Sequence, residues 1–241
     1  MHRHDDPPEP RAILSVLTLT MDRPLLLKQA AASISYAPVE WIVIDGSKNN
    51  TDTLQAFNSL RTQFYRSIYV HVLPAPPRFP VGVARNIALS LARGKYCVIL
   101  DDDDVFLPGW PDAAITFLEN ERKCVAVYGD TYLGDDTHKI GETHEPVTPE
   151  ILLDRGNFIG TSAMVWRTNP FLQHEETFWC CDPYDVWIQI ARSGRIAHIP
   201  HKAFVNRASR LQNSASVVYS CPECYKAFRE AAMNISSFDC P

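Results

Sequence analysis

The chain has 241 residues, 46% of them hydrophobic, which suffices for one sizeable α/β domain with a real core. Its 23 basic and 28 acidic side chains leave a formal net charge of −5, so bulk electrostatics give no reason to expect nucleic acid as a partner. No apolar run approaches the roughly 18 residues that mark a membrane-spanning helix. Residues 1–10 carry no apolar stretch and read as a disordered leader rather than a secretory signal. A reduced, cytoplasmic chain is therefore expected, with contact at a membrane surface left open. Seven cysteines are present. Cys97 and Cys124 lie in apolar runs and read as buried thiols. Cys221 and Cys224 form a lone C-x-x-C pair. Zinc would need two further ligands, and Cys240 is the only cysteine nearby.

The predicted elements alternate. Ala12 to Leu19 is a strand, and Asp22 is placed to cap a helix whose first turn tolerates Pro24 and which runs to about Ser35. Trp41 to Ile44 is a second strand, ending at Asp45, Gly46 and Ser47. A helix over about Thr51 to Phe64 precedes a strand from Ser67 to Leu73. A proline-rich loop then leads to a helix from Val81 to Ala92. The apolar run Tyr96 to Leu100 is a buried central strand that stops at four consecutive carboxylates, Asp101 to Asp104. This βαβαβαβ order argues for a doubly wound, mostly parallel sheet. Beyond it, helices are expected over Trp110 to Asn120, Pro149 to Leu153 and Pro183 to Arg192, the last closed by Gly194. Strands are expected over Cys124 to Tyr128, Thr161 to Trp166 and Ile196 to Ile199, with a hairpin turn at Gly134 to Asp136. From Ser209 the pattern weakens to a peripheral segment with one helix, Pro222 to Asn234.

The chemistry gathers at strand ends. Simple alternation sends Asp101 and Asp103 to one side and Asp102 and Asp104 to the other. Two such carboxylates repel by about 2–3 kcal/mol at an effective dielectric of 20. A divalent ion between Asp101 and Asp103 would offset that cost, and hard oxygens suit Mg²⁺ or Mn²⁺ with substrate phosphates completing the shell. In a parallel sheet the ends at Thr18 and Thr20, at Asp45 and at Asp101 and Asp102 converge on one edge, where α/β sheets bind ligands. With Arg85 they form a plausible nucleotide site. No G-x-G-x-x-G and no G-x-x-x-x-G-K-[ST] is present, so neither a dinucleotide fold nor a P-loop is supported. Trp110, Trp166, Trp179 and Trp187 read mainly as core, with sugar stacking as the alternative. His198 and His201 flank a strand end and are the alternatives for a third metal ligand.

Four segments resemble the family 2 glycosyltransferases, which have the GT-A fold. They are Ser15 to Pro24, Trp41 to Ser47 with its D-G-S signature, Val81 to Tyr96 with A-R-N at Ala84, Arg85 and Asn86, and Leu100 to Pro108 with the D-x-D segment. Asp182 to Gly194 is similar to the family's acidic motif, except that Pro183 stands where the second acid is usual. Asn157 to Ser162 resembles the acceptor-side loop. The resemblance implies a single GT-A-like domain over 11–208, with a nucleotide-sugar half (11–110) and an acceptor half (111–208). It implies metal-dependent, inverting transfer from a UDP- or GDP-sugar to a saccharide, lipid-linked or protein acceptor. Asp182 is then the expected base, just ahead of a helix N-terminus, with Asp185 as the fallback. Two rivals remain at this level. One is a nucleotidyltransferase on a similar fold, whose Gly-rich, basic first loop is missing here. The other is a silent nucleotide- or sugar-binding module, which Pro183 favours.

Overall fold

The computed structural model describes residues 13–34, 39–47, 68–74, 80–141, 143–174, 176 and 183–207, with single positions at Thr51, Gln55 and Glu230. The leader, nearly all of the helix expected over 51–64, the base candidate Asp182, Trp179, the Cys221/Cys224 pair and the C-terminal segment lie outside the described residues.

Four strands carry the parallel half: β1 (Leu14–Thr20), β2 (Val39–Asp45), β3 (Ile68–Pro74) and β4 (Tyr96–Ile99). They lie in the order β3-β2-β1-β4 and pair in parallel, with Thr20 opposite Asp45 and Leu17 opposite Ile99. Their carboxyl ends therefore share one edge. Two helices flank this half, α1 (Pro24–Ala32) and α2 (Val81–Leu91). The sheet continues through strands of mixed direction. These are β5 (Asp104–Phe106), β6 (Cys124–Leu133), β7 (Lys139–Ile140), β8 (Met164–Arg167) and β9 (Arg195–Asn206). The full order is β3-β2-β1-β4-β8-β6-β9-β5, with β7 paired to β6. The β6–β7 pairing forms the hairpin expected around Gly134. Three more helices cover this half, α3 (Asp112–Asn120), α4 (Pro149–Arg155) and α5 (Tyr184–Ser193). No described helix is long and apolar enough to cross a membrane.

Period-2 alternation divides the core between the two sheet faces. Val16, Trp41, Val43 and Val98 pack on one side with Leu27, Trp110 and Leu118 from the α1 and α3 regions. Leu17, Ile42, Ile44 and Ile99 pack on the other with Ala84, Ala88, Leu152 and Trp187 from α2, α4 and α5. Trp110, Trp166 and Trp187 are all fully buried core residues. Trp166 and Trp187 meet edge to face at 5.6 Å. None of the three is open to a sugar face. Cys97 and Cys124 are buried free thiols, and burial pushes the Cys97 thiol up to about 12.

Three local expectations are corrected. The residue capping α1 is Arg23, without a side-chain cap, whereas Asp22 sits at φ 55 and donates its N–H to Ser47 Oγ at 2.7 Å. A short acidic side chain tolerates that left-handed conformation, so Asp22 belongs to the turn rather than the helix. Thr161 to Ala163 is a 3-10 turn, and only Met164 onward is strand. β6 and β9 are also far longer than their apolar stretches. Past Tyr128 they pair with each other through two register shifts, overhanging the end of β8. Gly129 permits this crossing: a Cβ there would lie 2.7 Å from the His201 carbonyl oxygen and 3.0 Å from the Trp110 ring.

Candidate active site

At the carboxyl edge β4 stops at Ile99, and Asp101 to Asp104 form a tight turn closed by an N–H of Asp104 donating to the Asp101 carbonyl at 3.0 Å. The alternation expected for the four carboxylates therefore does not hold, because a turn rather than a strand sets their directions. Each has its own partners. Asp101 Oδ1 takes Arg85 Nη2 at 2.5 Å. Asp102 accepts from Thr20 Oγ1 at 2.8 Å and from Arg23 Nη1 at 3.2 Å. Asp103 Oδ2 accepts from the same Arg23 nitrogen at 3.2 Å. Asp104 begins β5, is buried, and accepts from Ser162 Oγ at 2.7 Å. Ser162 Oγ also accepts the Asp101 N–H at 3.2 Å. Arg207 covers the back of the turn, donating to the carbonyls of Asp103 and Asp104.

Burial governs the electrostatics here. It pushes the Asp102 carboxyl up to about 6, with Asp103 and Asp101 adding to the rise and Arg23 and Thr20 opposing it. Burial and the Asp101 charge hold Asp104 well above the usual carboxylate range, against the Ser162 hydrogen bond. Both effects follow from placing acids where water cannot solvate them.

The neighbouring strand ends complete the edge. Asp45 is fully buried; its Oδ1 accepts from Ser47 N–H at 2.9 Å and Ser47 Oγ at 2.5 Å. Its Oδ2 is buried without a partner among the described residues, as is Asp104 Oδ1. Thr18 is buried beneath this edge. Its hydroxyl donates to the Leu100 carbonyl at 2.7 Å and accepts from Trp41 Nε1 at 3.0 Å. Arg85, on α2, keeps only 4% of its side chain exposed.

Among the described residues no group of three or more His, Cys, Asp or Glu is arranged to hold a metal ion. Asp101 and Asp103 offer hard oxygens on one turn, with 30% and 11% of their side chains exposed. Two carboxylates supply part of the octahedral shell of Mg²⁺ or Mn²⁺, and diphosphate oxygens and water suit the rest, so this donor set fits an ion shared with a phosphorylated substrate. The two histidines turn elsewhere. His198 Nε2 faces Asp130 Oδ1 at 2.8 Å, and His201 Nδ1 faces the Lys202 carbonyl at 2.9 Å.

In the second half of the chain Asp185, in the first turn of α5, is 5% exposed and lies 3.1 Å from His174 Nδ1, while also accepting the Val186 N–H at 2.7 Å. His174 is in turn clasped by Asn86. Its N–H donates to Asn86 Oδ1 at 2.6 Å, and its carbonyl accepts from Asn86 Nδ2 at 3.0 Å. Sequence reasoning missed Arg23, Ser162, His174 and Arg207. Arg23 was within reach of inference, since it follows the end of β1 by three positions at the shared edge. Ser162 sits in the loop singled out at 157–162. Nothing in the spacing pointed to His174 or Arg207.

Comparison with known proteins bears on the family and the fold. The model of glycosyl transferase family 2 matches residues 15–175, well over half of the chain. An uncharacterized glycosyltransferase of Haemophilus influenzae is 25% identical over 149 residues, 54% of this chain and 45% of its own length. The UDP-Glc:alpha-D-GlcNAc-diphosphoundecaprenol beta-1,3-glucosyltransferase WfaP of Escherichia coli is 25% identical over 178 residues, 69% of this chain and 64% of its own. The chain thus spans roughly half to two thirds of the length of these curated relatives. Among solved structures, Staphylococcus aureus TarS 1-349 in complex with UDP-GlcNAc superposes with a TM-score of 0.72 at 16% identity, covering 94% of this chain and 68% of TarS 1-349. The mannosyltransferase PcManGT of Pyrobaculum calidifontis, in complex with GDP-Man and Mn²⁺, gives 0.64 at 16% identity, covering 97% and 67%. These likenesses establish the fold, a mixed α/β sheet flanked by helices. The chain belongs to glycosyl transferase family 2.

Proposed function

We propose that the chain moves a sugar, with inversion, from a UDP- or GDP-sugar to a hydroxyl group of a saccharide, lipid-linked or protein acceptor. The observation that carries this reading is the carboxyl edge of β1, β2 and β4. There a buried Asp45 oxygen has no donor among the described residues, beside an acidic turn held by Arg85 and Thr20. Buried acceptors are rarely left unpaired, and a ligand N–H or O–H is the natural complement. Asp45 Oδ2 receives such a hydrogen from the nucleotide, with Ser47 fixing the other oxygen. Thr18 and Thr20 hold the strand ends in place, and Thr20 orients Asp102 toward the nucleotide. Arg85 fixes Asp101. Asp101 and Asp103 are the residues that would hold Mn²⁺ or Mg²⁺ together with the diphosphate; when bound, the ion neutralises charge on the departing nucleotide.

The acceptor oxygen attacks the anomeric carbon from the face opposite the diphosphate. The bond to the diphosphate breaks, and the hydroxyl proton passes to a carboxylate. Asp182 is assigned that role. It immediately precedes Pro183, the residue that caps α5, where the helix dipole favours the ionised form. Asp185, the fallback base, is buried against His174 and is assigned a positioning role instead. The named ligands of TarS and PcManGT support a nucleotide-sugar donor, and the Mn²⁺ of PcManGT supports a divalent ion. The acceptor named for WfaP supports a lipid-linked acceptor, which we place at the cytoplasmic side of a membrane surface.

Turnover of a panel of nucleotide sugars with Mn²⁺, in wild type and Asp182→Asn, tests the reading. Asp182→Asn should lose about 10²–10⁴ in rate, with UDP or GDP affinity and Tm unchanged. No turnover of any donor by wild type, alongside intact nucleotide binding, would favour the silent binding module.

A further inference from the structure

Arg23 stands apart from the other cations around the acidic turn. Arg85 is 4% exposed and meets Asp101 Oδ1 at 2.5 Å. Arg207 hydrogen-bonds backbone carbonyls of the turn and reaches the Asp102, Asp103 and Asp104 carboxylates only through its charge. Arg23 places one nitrogen, Nη1, at 3.2 Å from Asp102 Oδ1 and at 3.2 Å from Asp103 Oδ2. Charge-assisted bonds are usually about 2.7–2.9 Å, and arginine usually engages a carboxylate with two nitrogens. A single nitrogen midway between two acids is the geometry of a point charge neutralising a pair.

The two acids depend on it unequally. Asp102 also has the Thr20 hydroxyl at 2.8 Å and is deeply buried. For the Asp103 carboxylate, Arg23 is the side-chain partner among the described residues. Arg23 itself keeps 23% of its side chain open to water, against 4% for Arg85.

We propose that Arg23 is the turn's built-in counter-cation, which holds Asp103 until a divalent ion takes that carboxylate and then gives it up. The proposal rests on the assignment of Asp103 as an ion ligand. A divalent ion carries twice the charge and approaches a carboxylate oxygen to about 2.1 Å, so it wins the exchange when a diphosphate delivers the rest of its shell. Without a donor, the guanidinium competes with the ion and prevents two adjacent acids from repelling each other. Arg23 thus makes ion binding conditional on the nucleotide. It is a positioning residue for the turn and has no part in the bond changes.

The test is Mn²⁺ binding followed by electron paramagnetic resonance of the free ion, without nucleotide, in wild type, Arg23→Gln, Arg23→Lys and Asp103→Asn. Arg23→Gln should bind Mn²⁺ about tenfold more tightly than wild type. Its Tm should be lower than wild type without the ion and should recover on adding Mn²⁺. Should Arg23→Gln fail to fold, Arg23→Lys, whose ammonium lacks the reach and planar spread of the guanidinium, should still show a rise of a few-fold. Unchanged or weaker Mn²⁺ binding in the Arg23 variants, while Asp103→Asn loses it, overturns the proposal and leaves the ion assignment standing. Wild-type binding that survives Asp103→Asn, or no Mn²⁺ binding by any variant even with UDP or GDP, overturns the ion assignment and this proposal with it.

Discussion

β1, β2 and β4 place buried acids near both of their ends, and the two ends treat them differently. At the amino-terminal edge Glu40 Oε2 accepts from Ser15 Oγ at 2.6 Å and from the Arg93 N–H at 2.8 Å. Ser15 Oγ accepts the Gly94 N–H at 2.9 Å, closing the network. Packing is tight enough there that a Cβ on Gly94 would lie 2.6 Å from the Ser15 nitrogen. At the carboxyl-terminal edge Asp45 and Asp104 are as deeply buried, yet each keeps one oxygen without a partner among the described residues. A buried unpaired oxygen costs about 1–3 kcal/mol. Among the described residues, satisfying the acid at one edge while two at the other each keep an unpaired oxygen supports the proposed division between a structural end and a ligand-binding end.

The largest effect expected from this contrast is at Glu40. Glu40→Ala strands the buried Ser15 hydroxyl and the part-buried Arg93 N–H and should cost about 2–4 kcal/mol of unfolding free energy, measured by urea denaturation. Nucleotide affinity of the folded fraction should not change. Weakened nucleotide binding would mean the two ends are not separable.

Asp102 gives the pH signature of the carboxyl edge. Its folded value of about 6 lies above its ordinary value of 3.8, so between roughly pH 4 and 6 the folded chain holds a proton that the unfolded chain has released. Stability from this group is therefore present below about pH 4 and lost as pH rises through about 6, by about 3 kcal/mol. Asp102→Asn should remove that dependence, seen as a flatter stability profile than wild type over this range. Parallel profiles would show that Asp102 is not held above its ordinary value.

Asp45→Asn is a finer probe. The variant keeps Oδ1 for Ser47 and turns the unpartnered acceptor into a donor. Nucleotide affinity should fall ten- to a hundredfold, about 1.5–3 kcal/mol, by calorimetry, with Tm close to wild type. A large drop in Tm with normal binding would make Asp45 a turn residue. The smallest effect is expected at Lys95, whose ammonium meets Glu119 at 2.6 Å with both side chains about half exposed. Lys95→Ala should leave Tm and turnover unchanged, because solvent screens such pairs.

This contrast also explains what sequence could reveal. Asp45 and Asp101 to Asp104 were legible because parallel strands carry consecutive ends to one edge, whatever their side chains do. Glu40 drew no notice, although it too sits in an apolar strand. Side-chain direction within a turn has no period, so the assignment of alternate sides to Asp101 to Asp104 failed where the backbone turned. The helix start at Asp22 was misplaced because a left-handed residue moved the cap to Arg23, and with it the cation that meets Asp102 and Asp103. In the second half, β6 and β9 outrun the apolar stretches read from the sequence because they go on pairing past Tyr128, where Ala203, Phe204 and Val205 are buried again after a polar interruption at His201 and Lys202. The acidic motif was blurred at the point where Pro183 replaces an acid.

Arg85 and Asn86 are neighbours on α2, yet one grips Asp101 and the other the backbone of His174, 88 positions further along the chain. Successive residues on an α-helix diverge by about 100°, so the pair acts as a fixed protractor between the carboxyl edge of the parallel strands and the segment at His174. Its angle is set by counting. A residue inserted between the two would double it, and no choice of side chains at either position would restore both grips.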